Sequence, residues 1–148
     1  MAQLLDQDIQ NQVQDIFTRQ LAESVQVLFF GQEEDCQYCQ DTEALLQELA
    51  DLSDKIELAV YDLEANSDLA RQFNVDKAPG FVIAAKNGGQ IMDYGIRYSG
   101  VPAGHEFSSL IQDLILVSGR DSKLSPKTRD ILTKLNKPIL LQVYVTPT

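Results

Sequence analysis

Val25-Gln26-Val27-Leu28-Phe29-Phe30, then Gly31-Gln32-Glu33-Glu34-Asp35, then Cys36-Gln37-Tyr38-Cys39 is the stretch whose reading decides the fold. The first six residues are an apolar run of strand length, and residues 42–52, with Leu45, Leu46, Leu49 and Leu52 at helical spacing, read as a helix. Between them lie the chain's only two cysteines, two residues apart, on a turn at a helix start. A helix start offers unsatisfied backbone N–H groups and the positive end of the macrodipole. Both favour a thiolate over a thiol, which makes a cysteine nucleophilic near neutral pH. In this setting the spacing reads as a dithiol/disulfide redox pair, with Cys36 the exposed attacking sulfur and Cys39, one helical turn on, the resolving thiol.

Working outward, Asp6 and Asp8 are candidate caps for a first helix carrying Ile9, Val13, Ile16, Phe17 and Leu21. Residues 56–62 read as a second, largely buried strand, and Asn66 as the cap of a short helix with Leu69 and Phe73. After Ala78-Pro79, strands over 81–86 and 90–96 flank Asn87-Gly88-Gly89, a hairpin signal. A helix over 105–117 stops at Gly119. The order αβαβα-ββα implies an α/β domain, residues 1–119, with a mixed four-stranded sheet and helices on both faces. Residues 120–148 stand apart: a polar linker, a helix opened by Ser125-Pro126, and an apolar strand over 139–145 that repeat the helix-then-strand opening.

The 148 residues suffice for one sizeable core. A net charge of −10 speaks against nucleic acid and anionic membranes as partners, because phosphates need Lys and Arg. The Gln-rich start shows no signal peptide or transmembrane stretch, so the expected compartment is the cytoplasm, where a CxxC is redox-active or metal-binding more often than a staple. Zinc normally takes four ligands, and His105 is the only other soft ligand, so neither a metal nor an organic cofactor is expected.

These residues are together similar to a known family. Cys36-Gln37-Tyr38-Cys39, Ala78-Pro79 and above all the run from Asp93 to Phe107 resemble protein disulfide oxidoreductases built from two tandem glutaredoxin-like units of thioredoxin fold. Leu124-Ser125-Pro126 and Val145-Thr146-Pro147-Thr148 resemble the inter-unit helix and the first strand of a second unit. The resemblance spans nearly the whole chain and the first half of a typical member. It implies a glutaredoxin-type domain that carries out thiol–disulfide exchange on protein disulfides, recycled by an enzyme of the thioredoxin-reductase kind. It implies a cis Pro79 opposite the cysteines, leaving the Ala78 backbone to pair with substrate chain, with Gln37 and Tyr38 also at the substrate. Single-domain thioredoxins carry a buried Asp six residues before the first cysteine, where this chain has Phe30, so proton transfer must use another group or water.

Other residues carry competing readings. Asp62, at the end of the second strand, is a candidate acid/base for Cys39 or equally a turn residue. Glu33, Glu34 and Asp35 disfavour a thiolate; they read as a solvated loop ahead of a role in moderating Cys36 or selecting basic substrates. Phe81 reads as core ahead of a docking groove with Tyr38 and Ala78, and His105 as part of a helix start ahead of catalysis. The strand over 139–145 is an aggregation hazard unless covered, and a homodimer through it is one way to cover it. The competing functional classes are a peptide-binding or scaffold module with a slow CxxC and an electron relay to a peroxidase.

Overall fold

The computed structural model describes residues 3–146. The elements are α1 (Gln7–Gln20), β1 (Val25–Gly31), α2 (Cys39–Asp51), β2 (Ile56–Asp62), α3 (Ser67–Gln72), β3 (Gly80–Asn87), β4 (Gln90–Ser99), α4 (His105–Ser118) and α5 (Pro126–Thr133). The strands form one mixed sheet in the order β2-β1-β3-β4. β1 and β2 are parallel because α2 returns the chain to the same end, while β1 with β3 and β3 with β4 are antiparallel. This is the α/β architecture expected from the element order.

Alternation along β1 divides the core. Val25, Val27 and Phe29 join Phe81, Ile83 and Ala85 of β3 beneath α1, α2 and α4, which contribute Phe17, Leu49 and Leu114. Leu28 and Phe30 point to the other face with Val82 and Ala84, where α3 covers them through Ala70 and the following Phe73. A strand covered on both faces must be apolar throughout, and every residue of β1 is buried. Gln26, the one polar side chain on it, donates to the Val27 and Glu57 carbonyls. Phe81 lies fully in the core, as read from its place in the run.

Several local readings are corrected. β2 is an edge strand, and of its residues only Ile56 is buried, because its far side has no neighbour. Asp6 rather than Asp8 caps α1, accepting the Ile9 N–H at 2.8 Å. Asn66 precedes α3 without a side-chain capping bond. α4 runs on to Ser118; Gly119 keeps φ −76°, and the left-handed turn falls on Arg120 at φ 54°. In the β3–β4 hairpin Asn87 pairs with Gln90, so the loop is Gly88-Gly89, with Gly88 at φ 61°.

The tail departs most. α5 forms with its Ser125 cap on Thr128, but none of its residues is buried. Residues 139–145 form no strand, and the large apolar side chains from Ile139 to Val145 are 69–85% exposed. Strand propensity without a ladder partner leaves backbone groups to water, so the run stays irregular. The expectation that the chain hides this run against its own sheet is therefore incorrect. Residues 147 and 148 of the Val145–Thr148 resemblance lie outside the described residues.

β4 and α4 are tied by one polar contact inside the apolar layer. The Tyr98 hydroxyl donates to the Asp113 carboxylate at 2.7 Å, and the ring stacks on Phe81 at 4.9 Å and 5°. Burial, reinforced by that carboxylate, pushes the Tyr98 phenol well above its ordinary 10.0. The neutral phenol therefore persists in the fold at pH values where the unfolded chain has lost the proton. Its contribution is fully present below about pH 10 and is lost as pH rises towards the folded value. Urea midpoints should fall above about pH 10, and fall less steeply in Tyr98→Phe; parallel alkaline arms for the two proteins would refute the assignment.

Candidate active site

The site is assembled at the ends of β1 and β2 and the start of α2. After Gly31 the chain leaves the sheet in a loop that turns at Asp35, whose φ of 56° is left-handed, a conformation Asp tolerates better than most side chains. α2 then begins at Cys39 with Tyr38 in the capping position and no side-chain capping bond. The positive end of the helix thus lies at the cysteines. Thr42, fully buried, donates its hydroxyl to the Tyr38 carbonyl at 2.7 Å and holds the first turn closed.

Cys36 and Cys39 are joined as a disulfide with Cα atoms 5.5 Å apart. The pair is asymmetric: Cys36 is partly exposed, whereas Cys39 is 5% exposed and belongs to the main core. Gln37 and Tyr38 between them are exposed, Tyr38 by 50%.

The Ala78–Pro79 peptide is cis. Phe30 pairs with Gly80 in the β1–β3 ladder, so Pro79 lies one step further, beside Gly31. Ala78 and Cys36 both pack against the cluster that holds Cys39. The Pro79 carbonyl accepts the Gly100 N–H at 2.9 Å, which anchors it to the end of β4. A Cβ added at Gly80 would stand 2.5 Å from the Lys77 carbonyl oxygen and 2.8 Å from Val75 Cγ1. Backbone cannot yield as a side-chain tip does, so Gly80→Ala should cost about 1–3 kcal/mol and displace Pro79. Chemical denaturation measures this, and an unchanged midpoint would refute it.

A cleft of about 450 Å³ opens on the β2 side of the disulfide. Phe29, Gly31, Val60 and Tyr61 line it with both cysteines, and Glu33, Gln40, Glu43 and Asp62 supply its polar wall. Gly31 leaves room for the buried sulfur: a Cβ there would meet the Phe29 ring at 2.8 Å and Cys39 Sγ at 3.8 Å. Asp62 closes the β1–β2 ladder opposite Gly31 and accepts the Glu64 and Ala65 N–H groups at 3.0 and 2.8 Å. It is therefore both the turn residue and a wall of the cleft. Phe30 faces away from Cys39, on the far side of the sheet, where it stacks on Tyr61 at 5.4 Å.

Glu43 and Val60 are cleft residues that the reading of the sequence did not single out. Glu43 had a signal, since position i+4 from Cys39 shares its helix face. Val60 had none, because only the β1–β2 register brings it here. His105 is exposed at the start of α4 and does not line this cleft. Arg97 pairs with Asp93, not Glu106, and donates to the Phe73 carbonyl, tying β4 to the end of α3. The Arg97 guanidinium holds the Asp93 carboxyl below its ordinary value. No group of three or more His, Cys, Asp or Glu residues suited to a metal occurs among the described residues.

Residues 8–112 match the family model described as Thioredoxin. The chain belongs to the thioredoxin family. Among solved structures, the protein disulfide oxidoreductase of Aeropyrum pernix K1 is similar, with a TM-score of 0.75, 25% identity and coverage of 90% of this chain and 56% of that one. The NTD N/C domain of the alkylhydroperoxide reductase AhpF of Enterococcus faecalis matches with a TM-score of 0.77 and 25% identity, over 90% of this chain and 62% of that one. Among curated proteins, the alkyl hydroperoxide reductase AhpF of Xanthomonas campestris pv. phaseoli is 33% identical over 68% of this chain. An NADH dehydrogenase of Bacillus subtilis is 31% identical over 73% of it. This thioredoxin-family chain spans only 18% and 16% of the lengths of those two curated relatives, in the order B. subtilis, X. campestris.

Such a pair supports thiol–disulfide exchange. A thiolate at Cys36 attacks one sulfur of a disulfide and expels the other as a thiolate. Cys39 then attacks the Cys36 sulfur of the mixed disulfide, releases the second thiolate and closes the Cys36–Cys39 bond. Two electrons pass to the substrate, whose thiolates take up two protons.

Proposed function

We propose that this chain is the dithiol module of a protein disulfide oxidoreductase, with Cys36 as nucleophile and Cys39 as resolving thiol. The observation that carries this is the asymmetry of the disulfide, one sulfur at the surface and the other in the core beside Gly31. Gln37, Tyr38, Ala78 and Pro79 are assigned to substrate contact, because they surround the exposed sulfur in the chain or across the sheet end. The chemistry needs no metal or organic cofactor in this reading, and a thioredoxin-reductase-like enzyme returns the electrons. The setting is the cytoplasm.

Similarity to alkyl hydroperoxide reductases of the AhpF kind favours a second reading, an electron relay towards a peroxidase. A redox titration in glutathione or dithiothreitol buffers, read by alkylation, tests the common basis of both. A reversible two-electron transition between about −300 and −120 mV is expected. A pair locked in one state would leave the remaining reading, a peptide-binding scaffold. Excess peroxidase added to the reduced protein separates relay from general reductase.

Residues 120–148 are assigned as the beginning of a second, similar unit. Their exposed apolar run is one that a second copy of the chain would cover as a homodimer. Light scattering on the full chain and on a version ending at residue 136 should give dimer and monomer; monomers in both would remove the dimer.

A further inference from the structure

We infer that the cleft beside the disulfide selects substrate disulfides flanked by lysine or arginine, through the carboxylates of Glu33, Glu43 and Asp62. This deepens the proposed exchange activity and rests on it. The three residues come from separate elements, the loop before Cys36, the second turn of α2 and the end of β2, and line one cleft with both cysteines. No Lys, Arg or His lines it. The ion pairs among the described residues involve Asp15, Asp68, Glu57, Asp93, Asp121 and Asp130, so elsewhere this acidic chain compensates carboxylates that it leaves unpaired by cations here. Glu34 and Asp35 extend the same sign along the loop.

A cleft lined by one charge over an apolar floor raises the local concentration of the opposite charge and the rate of encounter. Phe29 and Val60 supply that floor, and Val60 is 47% exposed. A cationic residue next to the substrate cysteine meets the wall as its sulfur meets Cys36. An anionic residue there adds repulsion, both in the encounter and in the mixed disulfide. The electron balance is that of the exchange already written, with the protein's own dithiol as reductant.

The test uses the full chain, reduced with dithiothreitol and freed of it, in single turnover against two peptides. Both carry the same intramolecular disulfide, flanked by lysines in one and by glutamates in the other. At an ionic strength of about 0.01 M, where the screening length is about 30 Å, the lysine peptide should react at least about tenfold faster. The ratio should shrink towards one at about 1 M, where that length is about 3 Å. It should also shrink in Glu33→Gln/Glu43→Gln, both exposed positions, with Asp62 kept for its turn. Equal rates on both peptides would overturn the inference and leave the exchange activity standing. Selectivity undiminished in the double variant would assign it to the overall charge and overturn the cleft. Failure to react with either peptide would overturn the activity itself, and the inference with it.

Discussion

Replacing Cys36 by serine is expected to abolish disulfide exchange completely, while replacing Cys39 by serine stops it one step later. A hydroxyl cannot form the mixed disulfide, and Cys39 cannot take over the attack because it is 5% exposed at the base of α2. With Cys39→Ser, Cys36 still attacks, but no internal thiol remains to release the adduct. A substrate disulfide should therefore accumulate as a covalent complex, visible by mass under non-reducing conditions and released by dithiothreitol. Exchange surviving in Cys36→Ser would end the proposed mechanism. An adduct formed by the Cys36→Ser protein rather than the Cys39→Ser protein would reverse the two roles.

The largest loss of stability is expected from Phe81→Ala, at about 3–5 kcal/mol. The ring is fully buried in the main cluster, paired with Phe29 on the neighbouring strand and stacked on Tyr98. Truncation removes the transferred apolar area, leaves a cavity the packed neighbours close only in part, and forfeits a ring contact worth about 0.5–1.5 kcal/mol. Against a total stability of about 5–15 kcal/mol, that is a large fraction. Phe81→Leu, which keeps most of the volume, should lose much less. Urea unfolding of the three proteins measures the difference, and a loss below about 1 kcal/mol for the alanine variant would contradict the central place of this ring.

The two variants draw on different parts of the sequence. The cysteine pair was legible because the CxxC spacing after an apolar run and before a leucine-patterned helix admits few arrangements, and the pair lies where that order puts it. The strands and helices up to residue 119 were legible for the same reason, since period 2 and period 3.6 are properties of local chain. The edge position of β2 was not, because an apolar run says that a strand is covered without saying by how many neighbours. Nor was the fate of residues 139–145, whose strand propensity is local but whose ladder partner is not.

By itself the sequence determined the chemistry on offer: two cysteines at a helix start, a proline before a strand, and an apolar pattern for one mixed sheet. Only the tertiary structure decided which sulfur is buried, that Phe30 turns away from Cys39, and that Glu43 and Asp62 face one cleft with Glu33. Those facts depend on register, the pairing of Gly31 with Asp62 and of Phe30 with Gly80. Register is set by how distant side chains pack across the sheet, and one residue of slip would send every one of them to the opposite face.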